Sequence, residues 1–253
     1  MTKSISFFFF FAILCFTNCK TKAPVIDTTV KNYRLAFYNV ENLFDLVDDP
    51  KTKDEEFTPT GEKKWTSERY QTKLDHLTKV VAGMEYPAIL GISEVENEQV
   101  LKDWCEKTSM SQHDYGIVHY DSPDFRGIDV GLLYQKKAFK VEKSETIQIN
   151  FPKEIVEDYT TRDVLVVKGI LQNLPVTIFV NHWPSRRGGL EKSEPKRMYV
   201  AQQVRKKVDE ILKNDANANI ILMGDFNDEP ENNSLRKGLN ASYQVQGERV
   251  TAD

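Results

Sequence analysis

"MGDFNDEP", residues 223–230, follows directly on the apolar run at residues 220–222. Successive Ile and Leu residues favour a β-strand, and Gly, Asp, Asn and Pro favour turns, so the chain is expected to leave a buried strand and turn here. Turn formation alone explains this composition. A metal site is the alternative, because side-chain oxygens such as those of Asp225 and Asn227 are ligands of hard divalent cations. The stretch by itself leaves both interpretations open.

Outside this stretch, the pattern predicts an α/β chain with many strands and few helices. Apolar strands are expected at 33–39, 88–93 and 219–224, and shorter β-branched ones around 115–120, 129–134, 137–142, 145–150, 162–171 and 174–181. One helix is expected after the N-cap Thr66, one from Asn97 to Thr108, and one from Glu194 to Lys213 with Ser193 as its cap and Pro195 in its first turn. These elements fit a two-sheet sandwich with helices outside.

The N-terminus has the features of an export signal. An unbroken apolar stretch at residues 5–16 is too short to span a bilayer and is typical of a signal-peptide core. Cys19 follows it and resembles the lipidated cysteine of bacterial lipoproteins, although the preceding residues match that signal poorly, so lipidation and simple export both stay open. We expect a signal at 1–19, a polar linker at 20–32 and one domain at 33–253, located in the periplasm, at the cell surface or outside the cell.

The composition suits a single globular domain. The chain has 253 residues, of which 40% are hydrophobic and 28% charged, with a net charge of −4. No strongly basic stretch indicates a nucleic-acid binder, yet an acidic protein can act on phosphodiesters when a bound cation and a few arginines meet the substrate charge. After removal of the signal at most Cys19 and Cys105 remain, so no disulfide framework is expected, and Cys105 reads as a buried helix residue.

Four polar clusters lie at the ends of predicted strands. They are "FYNVENLFD" with Asn39, Glu41 and Asn42, "GISEVENEQ" with Glu94 and Glu96, "FVNHWPSRRGG" with Asn181, His182, Arg186 and Arg187, and "MGDFNDEP". One such cluster is ordinary turn chemistry. Four in one chain suggest a shared site at one edge of the sheets, where α/β proteins bind ligands.

The residue types suit metal-assisted hydrolysis of a phosphoester. Asn39, Glu94 and Glu41 offer oxygen ligands for Mg²⁺, with Mn²⁺ or Ca²⁺ as alternatives. No zinc site is expected, because the four histidines, His76, His113, His119 and His182, show no ligand spacing. A cation held in this way would polarise a phosphoryl oxygen and offset developing negative charge.

The other polar residues have roles in the same chemistry. Asp225 is expected to orient or activate the attacking water, and Asn227 to donate to a phosphate oxygen. His182 would bond a non-bridging oxygen or assist proton transfer. The predicted substrate-side residues are Asn181, Arg186, Arg187 and Arg126, of which Arg186 and Arg187 could clamp neighbouring phosphates.

Each residue also has a structural interpretation. Asn39 and Asn42 could simply cap or turn the chain, and Glu96 is expected to be solvated rather than a ligand. Arg126 and Asp129 of "FRGIDVG" could form an ion pair at the rim of the site or a loop contact.

Taken together, the four clusters resemble the endonuclease/exonuclease/phosphatase superfamily, the group of DNase I and the major apurinic/apyrimidinic endonucleases. Asn39 and Glu41 match its first metal-binding pair, Glu94 its metal-binding glutamate, His182 its phosphate-contacting histidine, and Asp225 and Asn227 its Gly-Asp-x-Asn motif. The resemblance covers about residues 33–232 and implies a four-layer α/β/β/α sandwich. "RGIDVGLLY" and "NHWPSRRGG" look like an exported bacterial subgroup.

The sequence departs from the family pattern at its end. The family's Ser-Asp-His-type motif, which supplies an Asp–His pair beside the scissile bond, is absent. Either the chain is a C-terminally truncated fragment or this member has lost its main acid and base. We expect truncation, an incomplete second sheet with an unpaired edge, and consequently poor stability or aggregation.

The leading functional hypothesis is an exported, Mg²⁺-dependent nuclease that hydrolyses DNA or RNA. A phosphodiesterase of lipid head groups, similar to sphingomyelinases, is the alternative within the enzyme class, although no exposed aromatic hairpin for membrane insertion is recognisable. A third interpretation is a surface-binding module that kept the fold and lost the chemistry. The sequence predicts no protein partner.

Overall fold

Two four-stranded sheets dominate the computed structural model, which describes residues 32–245 and 248–250. The folded unit begins at Tyr33. The predicted signal peptide, Cys19 and almost all of the predicted linker lie outside the described residues. Within the described part of the chain, no helix combines the length and the apolar character needed to cross a bilayer.

The first sheet is built from strands in the N-terminal half. In spatial order it contains β1 (Leu35–Leu43), β2 (Ile89–Val95), β4 (Asp129–Gln135) and β3 (Tyr115–His119). β1 and β2 run parallel, whereas β4 is antiparallel to both of its neighbours. The carboxyl ends of β1 and β2 therefore lie side by side at one edge of the sheet.

The second sheet repeats this arrangement. Its order is β5 (Phe139–Ile147), β6 (Val164–Leu171), β7 (Leu174–His182) and β8 (Ile220–Asp225). β7 and β8 run parallel, and the register pairs His182 with Asp225 at their carboxyl ends. Two short antiparallel strands, β9 (Tyr243–Val245) and β10 (Glu248–Val250), form a separate hairpin.

Helices cover the outer faces. α1 (Ser67–Gly83) and α2 (Glu98–Lys107) pack on the first sheet, and α3 (Leu190–Asn214) packs on the second. The two sheets face each other through a third apolar cluster that includes Ile89, Leu132 and Ile178. The order of layers is thus α/β/β/α, which confirms the predicted fold class.

The predicted side-chain cap Thr66 is confirmed and the predicted cap Ser193 is wrong, while Asn97, expected as the first residue of its helix, is the cap of α2. Thr66 accepts from the Arg69 amide at 3.4 Å, and Asn97 accepts from the Val100 amide at 3.0 Å. α3, however, begins at Leu190, so Ser193 is not its cap and Pro195 lies inside the helix. The reason is that Gly189, with φ of 109°, makes the turn into the helix, and Ser193 instead donates its hydroxyl to the Gly189 carbonyl at 2.7 Å.

Two strand predictions also need correction. The segments 137–142 and 145–150 are one strand, β5, which stays paired with β6 across an irregularity between Val141 and Lys143. That irregularity interrupts the apolar alternation and makes one strand read as two. β8 was expected to be buried, but all of its residues are partly exposed because it lies at the edge of its sheet.

Candidate active site

The residues of the four polar clusters meet where the parallel strand pairs end. In the first sheet, the regular pairing of β1 with β2 is interrupted after Asn39, and Glu94 is the penultimate residue of β2. In the second sheet, His182 and Asp225 are the last residues of β7 and β8. The Asn39 side-chain nitrogen lies 3.1 Å from Glu94 Oε1 and 3.1 Å from Asp225 Oδ2. One amide thus joins carboxylates from two different sheets.

This arrangement fits a divalent cation. Two carboxylates that converge on one point repel each other unless a donor or a cation lies between them. Here the side-chain nitrogen of Asn39 lies between the carboxylates of Glu94 and Asp225, whose oxygens are ligands of the kind that Mg²⁺, Mn²⁺ or Ca²⁺ prefers. Glu41 is exposed, and its backbone amide donates to Asn39 Oδ1 at 2.9 Å, but its side chain lines a different cavity together with Lys73 and His76.

Backbone strain is concentrated at the same place. Glu41, Asn42, Glu94 and Asn227 have φ values of 55°, 63°, 65° and 51°. Non-glycine residues rarely adopt this left-handed conformation, and where they do the rest of the structure must stabilise it. Four such residues at the ends of three strands indicate that the fold holds these side chains in specific directions, as functional sites require.

His182 lies behind the carboxylates. Its side chain is 4% exposed, and its Nε2 is 3.7 Å from Glu94 Oε1. Burial, together with the positive charges of Arg162 and Arg126, lowers its pKa from 6.5 to about 2, so the ring is neutral. Its Nδ1 is buried without a hydrogen-bond partner. A neutral imidazole with an unused nitrogen is suited to hydrogen bonding with a ligand rather than to pairing with an anion.

Asn227 and Asn181 differ in what they can reach. Asn227 donates its backbone amide to Asp225 Oδ1 at 2.9 Å and its side-chain amide to the Trp183 carbonyl at 3.0 Å. Both Asn227 and Asp225 line an open cavity of about 530 Å³. Asn181 is fully buried, donates to the Met223 carbonyl and accepts from the Trp183 indole. The structure therefore places Asn181 under the site and away from the cavity.

The two neighbouring arginines are not equivalent. Arg186 donates its Nε to the Asn227 carbonyl at 2.8 Å and its two terminal nitrogens to Glu229 and Asn232. Its Nε is also 3.4 Å from the fully buried carboxylate of Asp228. Arg187 is exposed. Arg186 therefore holds the 225–232 loop in place, and only Arg187 extends freely towards solvent.

Arg126 makes a contact within its own loop, which is one of the two interpretations that its sequence left open. It contacts Asp124, with 3.4 Å between Arg126 Nε and Asp124 Oδ1, rather than Asp129. Asp124 in turn pairs with the buried Arg162 at 3.0 Å, and Arg162 donates to the Trp183 carbonyl at 2.7 Å. The sequence analysis missed Arg162 and Asp124. A charged residue in a β-branched segment, "TTRDVLVV", was the available signal, but its partner lies far away in sequence.

Two charged residues near the site have altered proton affinities. Lys73 donates to the Glu41 carbonyl at 3.1 Å, and burial lowers its pKa although the nearby Glu41 and Glu94 oppose this. Glu96, which was expected to be solvated, is partly buried and accepts from the Asp45 amide at 2.6 Å. Burial raises the Glu96 pKa to about 8.

A second group of possible metal ligands lies in the first sheet, where β3 ends and β4 begins. His119, Asp121 and Asp129 each offer a ligand atom within 4.8 Å of the others, and His119 Nε2 is 3.2 Å from Asp129 Oδ2. The sequence analysis considered only groupings of histidines and cysteines and missed this one, which combines a single histidine with two aspartates. The sequence hides the group because the pairing of β3 with β4 brings Asp129 next to His119.

Comparisons with known proteins agree with this architecture. The profile of the Endonuclease/Exonuclease/phosphatase family matches residues 34–250. No curated protein matches the sequence. A functionally unknown conserved protein from Enterococcus faecalis superposes with a TM-score of 0.56 at 15% identity, over 82% of this chain and 71% of that one.

Two further solved structures are similar at comparable levels. The human Nocturnin catalytic domain with bound sulfate has a TM-score of 0.53 at 17% identity, over 81% of this chain and 70% of that one. The Bacteroides thetaiotaomicron mannosyl-6-phosphatase has 0.52 at 15% identity, over 81% and 68%. The chain spans only 45% to 59% of the Caenorhabditis elegans TDP2 structures that it also matches. At these identities the likeness concerns the fold.

Proposed function

The chain belongs to the endonuclease/exonuclease/phosphatase family, whose members are phosphoesterases, and from this premise we propose that it is an exported, Mg²⁺-dependent nuclease that hydrolyses DNA or RNA phosphodiesters. The observation that carries the proposal is the Asn39 contact to Glu94 and Asp225, which joins two sheets at a single oxygen-rich point. The exposed Arg187 adds a cation that can meet a phosphate.

The proposed mechanism assigns a task to each side chain at this point. Asn39, Glu94 and the exposed Glu41 would hold the metal, which when bound polarises a phosphoryl oxygen. Asp225 orients the attacking water and accepts its proton as the water oxygen bonds to phosphorus, because the Asp225 carboxylate lines the cavity beside Asn39. The bond from phosphorus to the leaving oxygen breaks, and that oxygen takes a proton from solvent.

Two neutral groups complete the site. The neutral His182 ring donates a hydrogen bond from Nε2, the nitrogen on the side of Glu94, to a non-bridging phosphate oxygen. The turn at Asn227 fixes the Asp225 carboxylate through the bond between the Asn227 amide and Asp225 Oδ1.

The proposal is tested by incubating purified protein with supercoiled plasmid and Mg²⁺, and in parallel with a choline phospholipid. We expect the plasmid to be nicked, EDTA to abolish the reaction and added Mg²⁺ to restore it. Asp225→Ala should lower kcat by about 100-fold or more, since removal of a general base costs about that much. Asp75→Ala, which changes an exposed aspartate on α1, is the matched control and should be neutral.

Three outcomes contradict the nuclease proposal. Intact plasmid with hydrolysed lipid would favour the head-group phosphodiesterase. Activity that survives in Asp225→Ala would indicate a contaminating enzyme. Binding of a polyanion without any hydrolysis, unchanged in Asp225→Ala, would favour the non-catalytic module.

Export and membrane attachment are part of the same proposal and rest on residues 1–19. Cell fractionation tests them directly. If Cys19 carries lipid, Cys19→Ser should move the protein from the membrane fraction to the soluble exported fraction. Recovery in the cytoplasm would contradict export.

A further inference from the structure

Phe125 is an exposed aromatic residue with two cations over its ring. It lies on the 120–128 loop that joins β3 to β4, and 43% of its surface is exposed. Lys53 Nζ lies 5.8 Å from the centre of its ring, and Arg126 Cζ lies 5.9 Å from it. A single exposed apolar side chain is common and needs no explanation. Phe125 is informative because of the contacts that hold its loop and because of the residues that surround its ring.

The 120–128 loop is fixed to the candidate active site by buried charges. Asp124 accepts from the Arg126 backbone amide at 3.0 Å and from Arg162 Nη1 at 3.0 Å. Arg162 then donates to the Trp183 carbonyl, one residue after His182. The same carbonyl accepts from the Asn227 side chain at 3.0 Å. The Trp183 carbonyl thus connects the 120–128 loop with the 225–232 loop, which carries Asn227. The position of the Phe125 backbone is therefore set relative to the candidate active site.

A second loop holds Phe125 from the other side. The Lys53 amide donates to the Phe125 carbonyl at 2.9 Å. Gly127, with φ of +71°, lies so close to Thr52 that an added Cβ would come within 2.9 Å of the threonine methyl group. The two loops are therefore packed tightly at the base of the ring, and the ring itself is presented to solvent.

The space beside Phe125 is a cavity of about 600 Å³, a size typical of small-ligand sites. Its ionisable lining residues are Asp49, Lys51, Glu96, Asp121, Asp124 and Asp129. The excess of carboxylates disfavours a phosphate inside the cavity. An uncharged planar ring can enter it, while the phosphates on either side of that ring meet Lys53 and Arg126 at the rim.

We propose that Phe125 is a stacking platform for a nucleobase of a single-stranded segment whose scissile phosphate lies at Asn39, Glu94 and Asp225. This inference rests on the proposed nuclease function and names the part of the substrate that the site recognises. Stacking on an aromatic ring flanked by cations tolerates any base, so it would give affinity for single-stranded segments without sequence preference.

The test compares the full chain with Phe125→Ala and Phe125→Trp on a short single-stranded oligonucleotide in Mg²⁺. Phe125→Ala should raise KM roughly 5- to 100-fold with little change in kcat, which is the range for loss of one stacked base. Phe125→Trp should behave like the wild type. On an oligonucleotide with abasic sites, which keeps every phosphate and removes the bases, the wild type and Phe125→Ala should have the same KM.

A binding measurement separates this inference from the nuclease proposal. In EDTA, the fluorescence that Phe125→Trp shows above the wild-type background should be quenched by the oligonucleotide and not by its abasic counterpart. Quenching without any cleavage by the wild type would refute the nuclease and keep the platform. Cleavage without quenching, or an equal KM increase of Phe125→Ala on both substrates, would overturn the platform. Loss of binding to choline-phospholipid vesicles in Phe125→Ala, with oligonucleotide binding unchanged, would assign Phe125 to a membrane instead.

Discussion

Glu96 shows how burial changes the chemistry of a single residue near the site. Its carboxyl group is partly buried, and this burial is the main cause that raises its pKa from 4.5 to about 8. The neighbouring carboxylates of Asp45, Asp54 and Asp49 add to the increase. The hydrogen bond from the Asp45 amide opposes this shift without cancelling it. The folded protein therefore keeps a proton on Glu96 in a pH range where the unfolded chain has lost it.

This difference predicts how stability depends on pH. Between about pH 4.5 and 8 the folded state binds more protons at Glu96 than the unfolded state, so this residue's contribution to the free energy of unfolding decreases as pH rises and is constant above pH 8. Glu96→Gln removes the ionisation and keeps an acceptor for the Asp45 amide. We expect Glu96→Gln to be as stable as the wild type near pH 4 and about 1–3 kcal/mol more stable near pH 9, a figure reduced for the partial exposure of the side chain.

Urea denaturation in EDTA at several pH values measures this difference, because titrations common to both proteins cancel. A constant difference across the range would show that Glu96 does not carry the shifted pKa. Greater stability of the wild type at high pH would reverse the assigned sign.

At the scale of elements, the loop between β7 and α3 contains two neighbouring arginines that have different roles in the structure. Arg186 and Arg187 are adjacent, and both were expected to clamp phosphates. Each of the three nitrogens of the Arg186 guanidinium donates one hydrogen bond to the 225–232 loop, whereas Arg187 is exposed. Asp228, between Arg186 and the fully buried Arg197, ties that loop to α3, with 2.7 Å between Asp228 Oδ2 and Arg197 Nε.

Alanine variants of the two arginines should therefore affect different kinetic constants. Arg186→Ala should lower kcat roughly 10- to 100-fold with a small change in KM, because the Asp225–Asn227 turn loses its support and small misplacements of catalytic groups are costly. Arg187→Ala should raise KM roughly 3- to 10-fold with kcat unchanged, and this effect should decrease at high salt as expected for an exposed phosphate contact. Steady-state kinetics at two salt concentrations distinguish them. If both variants raise KM equally and both effects depend on salt, the original prediction that Arg186 and Arg187 both bind phosphates is supported instead.

The elements that the sequence predicted well are those whose local signals agree with their packing. α2 begins within one residue of the predicted start at Asn97, since the cap and the buried face both favour that start. β5 and the start of α3 were misplaced because an irregularity and a glycine turn, which depend on tertiary contacts, override the apolar pattern. The partial exposure of β8 was missed because a run of Ile and Leu does not indicate whether a strand lies in the middle or at the edge of a sheet.

For the molecule as a whole, the site was easier to predict than the contacts that hold it. Asn39, Glu94 and Asp225 each follow an apolar strand, so their sequence context places them at a sheet edge, and the structure brings them together. Arg162 and Asp124 gave no comparable signal. Their pairing is set by the way loop 120–128 folds back on the second sheet, which only the three-dimensional arrangement determines.

The edge strand β8 makes a prediction for the solution behaviour of the whole chain. Among residues 32–245 and 248–250, β8 pairs with β7 on one side and with no strand on the other. The Thr177 amide donates to the Asn219 carbonyl and the Trp183 amide to the Asp225 carbonyl, both at 2.9 Å. Since a parallel ladder uses alternate residues, Asn219, Ile221, Met223 and Asp225 bond β7, and the backbone groups of Ile220 and Leu222 point outward.

Such an apolar edge is a template for pairing with a second chain, so we expect concentration-dependent aggregation of this 253-residue chain, measured by light scattering. Ile220→Pro blocks an outward-facing amide at the first position of the strand, where proline is tolerated, and should reduce aggregation severalfold with a minor loss of stability. Ile221→Pro is the matched control: it removes an amide that bonds β7 and should cost about 1–3 kcal/mol of stability and increase aggregation. A chain that stays monomeric at all concentrations, or equal effects of the two prolines, would show that the outer edge of β8 is not where the chains associate.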